Sequence, residues 1–210
     1  VLGDSIIVRG PQGRRILSEQ AGRHGFTVTA IQNAPAAGQG RTRQRMPRIG
    51  LYKPWTGNID EGWTRWLFEQ YGISYTTVRD SDLRKGGLRQ RFDVLVLPDA
   101  ETGSLVGGLD TTRIPLQYAG GMTDQGAEAI SAFVRGGGTL VCLDGSSNFA
   151  ITRLNLPVVN VLAGEASGPQ VLRFYAPGSI FGTVLGEGGS GGAGSSVTLG
   201  IHDSLKVYFE

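Results

Sequence analysis

Residues 48–66 read RIGLYKPWTGNIDEGWTRW, and they join a short apolar segment to an amphipathic one. The apolar residues 49–52 predict a β-strand. Asn58 stands three residues before Glu61, which is the spacing of a helix-capping pair, and a helix is predicted over residues 61–71. Large apolar residues recur on one face of this helix: Trp63, Trp66, Leu67 and Tyr71. A strand followed directly by a helix is the basic unit of an α/β protein.

The same alternation continues downstream of this stretch. Residues 74–78 and the apolar run 94–97 predict the second and third strands, and residues 139–143 predict the fourth. Thr123 is predicted to cap a helix. The apolar positions of that helix follow a 3.6-residue period: Ala127, Ile130, Phe133 and Val134. With a further helix over residues 146–154, the pattern predicts a parallel sheet that is covered by helices on both faces.

The first part of the chain has a different pattern. A strand is predicted over residues 6–8, a helix over Pro11–His24 and a strand over residues 26–31, and Gly25 suits the left-handed cap of that helix. Residues 33–47 are rich in Ala, Gly, Pro, Gln and Arg, lack a hydrophobic period and predict a linker. The chain opens without methionine and almost at once on a strand, so we expect it to be a piece of a longer polypeptide.

Three segments are predicted from these patterns. Residues 1–32 are a short αβ segment that ends an upstream or bridging region, residues 33–47 are the linker, and residues 48–210 are the α/β domain. A glycine-rich loop is predicted over residues 186–196 of that domain. Strands are also predicted late in the chain: residues 171–175, 197–199 and 206–209.

The composition excludes several classes of protein. Of 210 residues, 40% are hydrophobic and 18% charged, as in a globular protein, and no apolar run approaches the roughly 20 residues that span a bilayer. A formal net charge of +2 is too small to indicate a nucleic-acid partner. One basic cluster lacks interleaved aromatic residues, and we interpret it as a solvated linker rather than a phosphate site. Its members are Arg41, Arg43, Arg45 and Arg48.

No metal or dinucleotide site is predicted in this chain. The only histidines are His24 and His202, and no H-x-x-E, H-E-x-x-H or C-x-x-C spacing occurs, so three zinc ligands can scarcely be assembled. Gly186, Gly188 and Gly191 have the spacing G-x-G-x-x-G, but no helix-forming segment follows them to bind a pyrophosphate. We therefore predict no cofactor and no catalytic metal here.

The turn after residues 139–143 is where an α/β enzyme of the hydrolase type carries its nucleophile. The single cysteine, Cys142, lies two residues before that turn, where it is expected to act as a small buried hydrophobe. Asp144 occupies the turn, and we predict that its carboxylate accepts hydrogen bonds from the backbone of residues 146–148 and caps the following helix. Ser146 would need a histidine base to act as a nucleophile, and helix capping is its ordinary role. No catalytic residue is predicted.

Ligands of open parallel sheets bind at the carboxyl ends of the strands, where the strand order reverses. Polar and aromatic side chains follow three predicted strands at that edge and form the candidate ligand-binding set: Lys53, Trp55, Asp60, Glu61, Asp99, Asp144 and Ser146. The alternative is that they cap loops and keep helices soluble. Trp55 is the least ordinary of them, because a loop tryptophan is costly unless it is packed or makes contacts.

Five stretches of the chain together resemble a known family. They are residues 48–66, FDVLVLPD at 92–99, PLQYAGGMTDQG at 115–126, FVRGGGTLV at 133–141 and FYAPGSIF at 174–181. This set is similar to the C-terminal region found in a bacterial subset of M14-type zinc carboxypeptidases. That region in turn resembles class I glutamine amidotransferase domains, and the resemblance covers nearly the whole chain.

The resemblance implies a flavodoxin-like, doubly wound parallel sheet of the class I glutamine amidotransferase type. In the active domains a glycine-rich turn feeds a strand that ends in a nucleophilic cysteine. That position falls on Asp144 here, and a carboxylate cannot replace a thiolate in forming a thioester. No histidine and glutamate pair follows it to match the other catalytic residues of those domains.

The family also implies a role in a larger protein. The zinc ligands of the peptidase would lie upstream of Val1, in a carboxypeptidase domain of the same polypeptide that removes C-terminal residues from peptides. This chain would then be a non-catalytic accessory domain that helps to place substrate, or a partner subunit, near that active site. An extracytoplasmic or secreted location is implied as well.

Two other hypotheses stay open. The chain could be an independent module that binds a peptide or cell-wall ligand at the carboxyl ends of its strands. It could also be a hydrolase of another kind that uses Asp144 or Ser146. An H-x-x-E motif upstream of this sequence would favour the carboxypeptidase hypothesis over both.

Overall fold

The computed structural model describes residues 11–25, 27–30, 32, 45–115, 117–160, 178–184 and 204–209. By its internal contacts the chain divides into two compact units. One unit is Gln44–Val171, and the other combines Val1–Arg43 with Leu172–Glu210. The three segments predicted from the sequence stay predictions.

The described residues form seven helices and six strands. The helices are α1 Pro11–His24, α2 Ile59–Gln70, α3 Asp80–Lys85, α4 Leu88–Arg91, α5 Thr102–Gly107, α6 Thr123–Arg135 and α7 Ser146–Arg153. The strands are β1 Ile49–Tyr52, β2 Tyr75–Val78, β3 Val94–Leu97, β4 Thr139–Cys142, β5 Ser179–Val184 and β6 Ser204–Phe209. The predicted strands near residues 49, 75, 95 and 140 are confirmed.

Strands β1 to β4 form a parallel sheet in the order β2-β1-β3-β4. Ile49 of β1 lies between Tyr75 and Val94 in the register, and Val94 pairs in turn with Thr139. The chain moves from β1 outward to β2 and then returns to the other side of β1, which is the winding of an open doubly wound sheet. The unit is therefore α/β with a four-stranded parallel sheet, and its strand order is compatible with a flavodoxin-like fold.

One face of this sheet, the inner face, is buried beneath helices. Its strand residues belong to one hydrophobic cluster: Tyr52, Val78, Leu95 and Leu97, with Leu140 and Cys142 packed against them. Helices α3, α5 and α6 contribute buried residues to the same cluster: Leu83, Leu105, Ile130 and Phe133. The packing is tight, because a Cβ added at Gly50 would lie 2.9 Å from Cγ2 of Val78.

The opposite face, the outer face, carries α2. Phe68 packs on Tyr75 of β2 with ring centroids 5.7 Å apart, and the guanidinium of Arg65 lies 5.4 Å from the centroid of the same ring. Glu61, two turns before Phe68 on the same side of the helix, is buried. The side of α2 that faces the sheet therefore contains one aromatic and two charged residues.

The apolar stripe of α2 points the other way. Its residues are exposed: Ile59 by 78%, Trp63 by 62%, Trp66 by 51%, Leu67 by 46% and Tyr71 by 66%. The sequence pattern correctly groups Trp63, Trp66 and Leu67 on one side of the helix. An amphipathic stripe normally faces the core, and here the cap and the buried ion pairs at Glu61 fix the rotation of the helix instead.

Helix α6 has the predicted core face but not the predicted cap. Ala127, Ile130 and Phe133 are buried as expected. Thr123 is itself the first helical residue, with φ of 60°, and the N-cap position is Met122, which makes no side-chain capping hydrogen bond. The prediction that Thr123 caps the helix is therefore wrong, because the backbone of Thr123 is left-handed rather than extended as an N-cap residue requires.

The second unit contains α1 and an antiparallel pair of strands. The helix has the predicted bounds, and Gly25 after it has φ of 69°, which confirms the left-handed cap. Ser179 of β5 pairs with Phe209 of β6, so the predicted strand over residues 206–209 is confirmed.

The predicted strand over residues 26–31 is wrong where it can be tested. Residues 27–30 are exposed and have no regular secondary structure. Their sequence, Thr-Val-Thr-Ala, has high β-propensity at its first three positions, but a strand forms only where a neighbouring strand accepts its hydrogen bonds.

Other expectations lie outside the described residues: the strands over 6–8, 171–175 and 197–199, residues 33–44 of the linker, and the loop 186–196.

Candidate functional site

The loops that follow β1 and β3 are joined by one side chain. Asn58 accepts a hydrogen bond from the backbone N–H of Glu61 at 2.7 Å, which is the predicted N-cap of α2. Its amide Nδ2 donates to the carbonyl oxygen of Asp99 at 2.7 Å. Asn58 therefore starts α2 and at the same time fixes the end of β3 against the end of β1.

The loops that follow β3 and β4 are joined in a similar way. The Oδ1 atom of Asp99 accepts a hydrogen bond from the backbone N–H of Gly145 at 2.9 Å. The hydroxyl of Ser146 is fully buried and lies 2.7 Å from the carbonyl oxygen of Leu143 and 3.1 Å from that of Leu97. Because this hydroxyl donates to backbone carbonyls, Ser146 is neither exposed to a ligand nor activated as a nucleophile.

Lys53, the first residue after β1, forms an ion pair with Glu61 in the first turn of α2. Lys53 Nζ lies 3.3 Å from Oε2 of Glu61, and Arg65, one turn along α2, binds Oε1 of the same carboxylate. Asp60 is half-buried in the first turn of α2, where a carboxylate is stabilised by the helix N-terminus. Lys53, Asp60 and Glu61 therefore help to stabilise α2. This agrees with the alternative interpretation of the candidate set, in which its members cap loops and helices instead of binding a ligand.

Trp55 lies in a different environment. Its ring makes an edge contact with Tyr118, with centroids 4.7 Å apart and an interplanar angle of 76°. The guanidinium of Arg79 lies 4.0 Å from the centroid of the Trp55 ring, and its Nη1 donates to the carbonyl oxygens of Lys53 and Pro54. The loop after β1 is thus clamped to the end of β2, and 41% of Trp55 is still exposed.

A small cavity of about 160 Å³ opens beside Trp55 at the carboxyl ends of β1 and β2. Its lining contains three aromatic residues, two residues with aliphatic hydroxyls and one carboxylate: Tyr52, Trp55 and Tyr118, Thr56 and Ser104, and Asp80. Pockets for whole small molecules usually measure about 300 Å³ or more. This cavity therefore suits a single group of side-chain size.

The polar centre of this cavity is a pair that the sequence analysis missed. The hydroxyl of Tyr52 donates to Oδ1 of Asp80 at 2.7 Å, and both residues are buried. Burial raises the pKa of the Asp80 carboxyl, against the hydrogen bond from Tyr52 and the charges of Arg84 and Arg79, which lower it. Burial and the neighbouring carboxylate also raise the pKa of Tyr52. Applying the strand-end rule to β2 would have found Asp80, which follows that strand by two residues.

The turn between β4 and α7 differs from the prediction in one respect. Asp144 is exposed there with φ of 44°, and its backbone carbonyl accepts from the N–H of Ser147 at 2.8 Å. The N-cap position of α7 is Gly145, and no side chain caps the helix. The prediction that the Asp144 carboxylate caps α7 is therefore wrong, because main-chain carbonyls close the first turn instead.

Cys142 is half-buried rather than fully buried, and it packs against the inner-face cluster. Burial raises the pKa of its thiol to about 11, partly offset by a hydrogen bond with Ser146. At neutral pH the sulfur is thus a thiol and a poor nucleophile.

The basic cluster is partly tied to the amino ends of the strands. Arg45 and Arg48 both bind the carboxylate of Asp93, just before β3, and Arg89 binds it from α4. Arg41 and Arg43 lie outside the described residues.

A second concavity of about 260 Å³ lies along α6 and α7 and is lined by none of the strand-end residues.

No three His, Cys, Asp or Glu side chains in the described part of the chain come together in a way that could hold a metal ion. Of the helices described here, none is long and apolar enough to cross a membrane.

Comparison with known proteins returned no relatives: no family model, no curated protein and no solved structure matches the chain. Its fold and site therefore define the class to which it can be assigned. That class is an α/β protein with an open four-stranded parallel sheet and an aromatic cavity at the carboxyl ends of its strands.

Proposed function

We propose that this chain is a class I amidotransferase-like, non-catalytic accessory domain of a zinc metallocarboxypeptidase, and that its strand-end cavity holds one side chain of the substrate peptide. The parent reaction is the removal of C-terminal residues from peptides. Zinc belongs to a peptidase domain upstream in the same polypeptide, and no step of the reaction uses this chain's residues.

The geometry of the turn after β4 carries the proposal. In α/β enzymes a nucleophile elbow places the reactive residue on a strained turn between a strand and a helix. Asp144 has this place and a positive φ, yet its side chain is a carboxylate. The one thiol, at Cys142, is two residues away with a raised pKa. An elbow without a nucleophile supports a binding domain derived from an enzyme fold.

The cavity beside Trp55 supports the binding part of the proposal. Trp55 and Tyr118 offer partly exposed rings next to a buried carboxyl–hydroxyl pair, Asp80 with Tyr52. Aromatic rings with a few fixed polar groups are typical of sites that bind peptide side chains. The same cavity also suits the second candidate function, an independent module for a peptide or cell-wall ligand.

Kinetics of the full-length polypeptide test the proposal. We expect zinc-dependent release of C-terminal residues from synthetic peptides, and a rise in KM of about 5- to 30-fold with unchanged kcat for Trp55→Ala, since an anchoring aromatic residue is truncated. Val159→Ser, at an exposed position outside the cavity, is the matched control and should leave KM unchanged.

Two results would reject the proposal. An upstream sequence without an H-x-x-E zinc motif would remove the carboxypeptidase link and favour the independent module. Release of ammonia from glutamine by this chain, abolished in Cys142→Ser, would show an active glutaminase and contradict the non-catalytic assignment.

A further inference from the structure

The apolar stripe of α2 is the largest feature that the strand-end site leaves without a function. The five residues of the stripe, defined above, are between 46% and 78% exposed. Together they expose roughly 500 Å² of apolar surface, near the upper end of what a monomeric protein shows without a functional reason. Strand β4 adds Val141, which is 37% exposed on the same face of the sheet.

We propose that the stripe of α2 is the contact surface between two copies of this chain, paired as antiparallel helices about a two-fold axis. A two-fold axis places the same patch on both sides of the interface, so the patch must fit itself. Complete burial of two stripes would remove roughly 1,000 Å² from water in total, which is the lower limit of the area that a specific interface needs.

The order of residues along α2 supports the antiparallel arrangement. With the axis midway between Trp63 and Trp66, each of these rings lies opposite the other residue in the partner. Ile59 then lies opposite Gln70 of the other copy. Ile59 is 78% exposed and Gln70 is exposed as well, so both are free to meet a partner at the two ends of the helix pair.

Charge also permits self-association of this surface. The exposed helix positions 59, 62, 63, 66, 67 and 70 carry no charge. Glu69 is exposed at the edge of the stripe, and its carboxylate accepts a hydrogen bond from the hydroxyl of Tyr75 at 2.9 Å. The acidic residues of the first turn lie at one end of α2, and its last turn contains no basic residue. An antiparallel pair separates the two acidic ends and places each helix N-terminus beside a C-terminus of the partner, which the helix dipoles favour.

A polysaccharide is the other ligand that exposed aromatic residues can bind, and the geometry disfavours it. Stacking of several sugar rings needs aromatic rings that lie flat in one surface. The rings of Trp63 and Trp66 are 5.9 Å apart and nearly perpendicular, at 87°. Perpendicular rings beside aliphatic Ile59 and Leu67 form a surface with ridges and gaps, which suits the interlocking side chains of a protein interface.

Sedimentation of the full chain between about 1 and 300 µM tests the proposal. We expect a reversible monomer–dimer equilibrium, and at least about 10-fold weaker association for Trp63→Ser and Trp66→Ser, because tryptophans at an interface centre dominate its affinity. Val159→Ser changes a residue that is 81% exposed outside α2 and should associate as the parent chain does. Circular dichroism of each variant verifies that it is folded.

Cross-linking tests the register independently of affinity. In a Cys142→Ser background, Ile59→Cys combined with Gln70→Cys should give an intermolecular disulfide on mild oxidation, whereas either change alone should give much less. A chain that stays monomeric up to 300 µM would overturn the proposal. So would dimers that persist in both tryptophan variants, or soluble cell-wall polysaccharide that binds the monomer through these tryptophans.

Discussion

The two faces of the parallel sheet are built in opposite ways. On the inner face, side chains such as Leu95 and Leu97 are completely buried beneath several short helices. On the outer face, α2 presents charged Glu61 and Arg65 toward the sheet and tryptophans away from it. Parallel sheets are normally covered on both faces. The outer face also buries strand residues, Leu51 and Val96, but the stripe of α2 above them is exposed. The comparison indicates that the inner face supplies most of the stability of this unit, and that the stripe of α2 is available for association.

Truncation of the inner core should have the largest effect. Leu97→Ala removes a fully buried side chain at the centre of the sheet and should lower the free energy of unfolding by about 3–5 kcal/mol. Leu97→Met keeps the volume and should cost less than about 1.5 kcal/mol. Denaturant unfolding of both variants measures the difference. A loss below about 1 kcal/mol for the alanine variant would show that the inner face is not the stabilising one.

The thiol at the edge of the inner face should react slowly. With the pKa of Cys142 raised to about 11 by burial, the thiolate fraction at pH 8 falls roughly 200-fold below that of a free cysteine, whose pKa is about 8.5. We expect iodoacetamide labelling of the folded chain to be slower by at least this factor than labelling in denaturant. Rapid labelling of the folded chain would indicate an exposed, activated cysteine and would also contradict the non-catalytic assignment.

Two glycine substitutions compare the packing of the two faces directly. Gly50→Ala places a methyl group 2.9 Å from Val78 and 3.1 Å from Leu95 on the inner face, and we expect a loss of about 1–3 kcal/mol in unfolding free energy. Gly62→Ala lies in open space on α2 and should instead stabilise the chain by about 0.5–1 kcal/mol, through helix propensity. Unfolding is measured in dilute protein. If both substitutions changed the unfolding free energy in the same direction, the proposed difference in packing between the two faces would be wrong.

The ion cluster at the amino ends of the strands should have the smallest effect, and one that depends on pH. Hydrogen bonds from Arg48 and Arg45 lower the pKa of Asp93 well below its ordinary range. A carboxyl with a lowered folded pKa stabilises the fold above its unfolded pKa of about 3.9, and this contribution is lost as the pH falls toward the folded value.

The variant Asp93→Asn measures this contribution of the ionised carboxylate to the stability of the fold. Compared with the parent chain, it should be less stable by a constant amount above about pH 5, and the difference should begin to shrink near pH 4 and keep shrinking as the pH falls to 2.5. Thermal unfolding from pH 7 to pH 2.5 measures both curves. The difference should shrink at high salt, because the arginines are partly exposed. A difference that grew on acidification would contradict the sign of the shift.

The sequence by itself determined the four strands and the helices α2, α6 and α7 of the α/β unit, but it did not predict the short helices α3, α4 and α5. Apolar runs located β1 and β3, the Asn58–Glu61 spacing located the start of α2, and the position of Asp144 two residues beyond Cys142 separated the elbow from the thiol. These features depend on neighbours within a few residues, and hydrophobic period and capping patterns report such neighbours directly.

Only the tertiary structure decided how those elements meet. Tyr52 binds Asp80 across 28 residues, and Asp99 binds Gly145 across 46, and neither partner can be read from local spacing. The rotation of α2 was decided in the same way, since Lys53 and Arg65 hold Glu61 inside and leave Trp63 and Trp66 exposed. A periodic pattern shows which residues share a side of a helix, but long-range hydrogen bonds and ion pairs determine which side is buried.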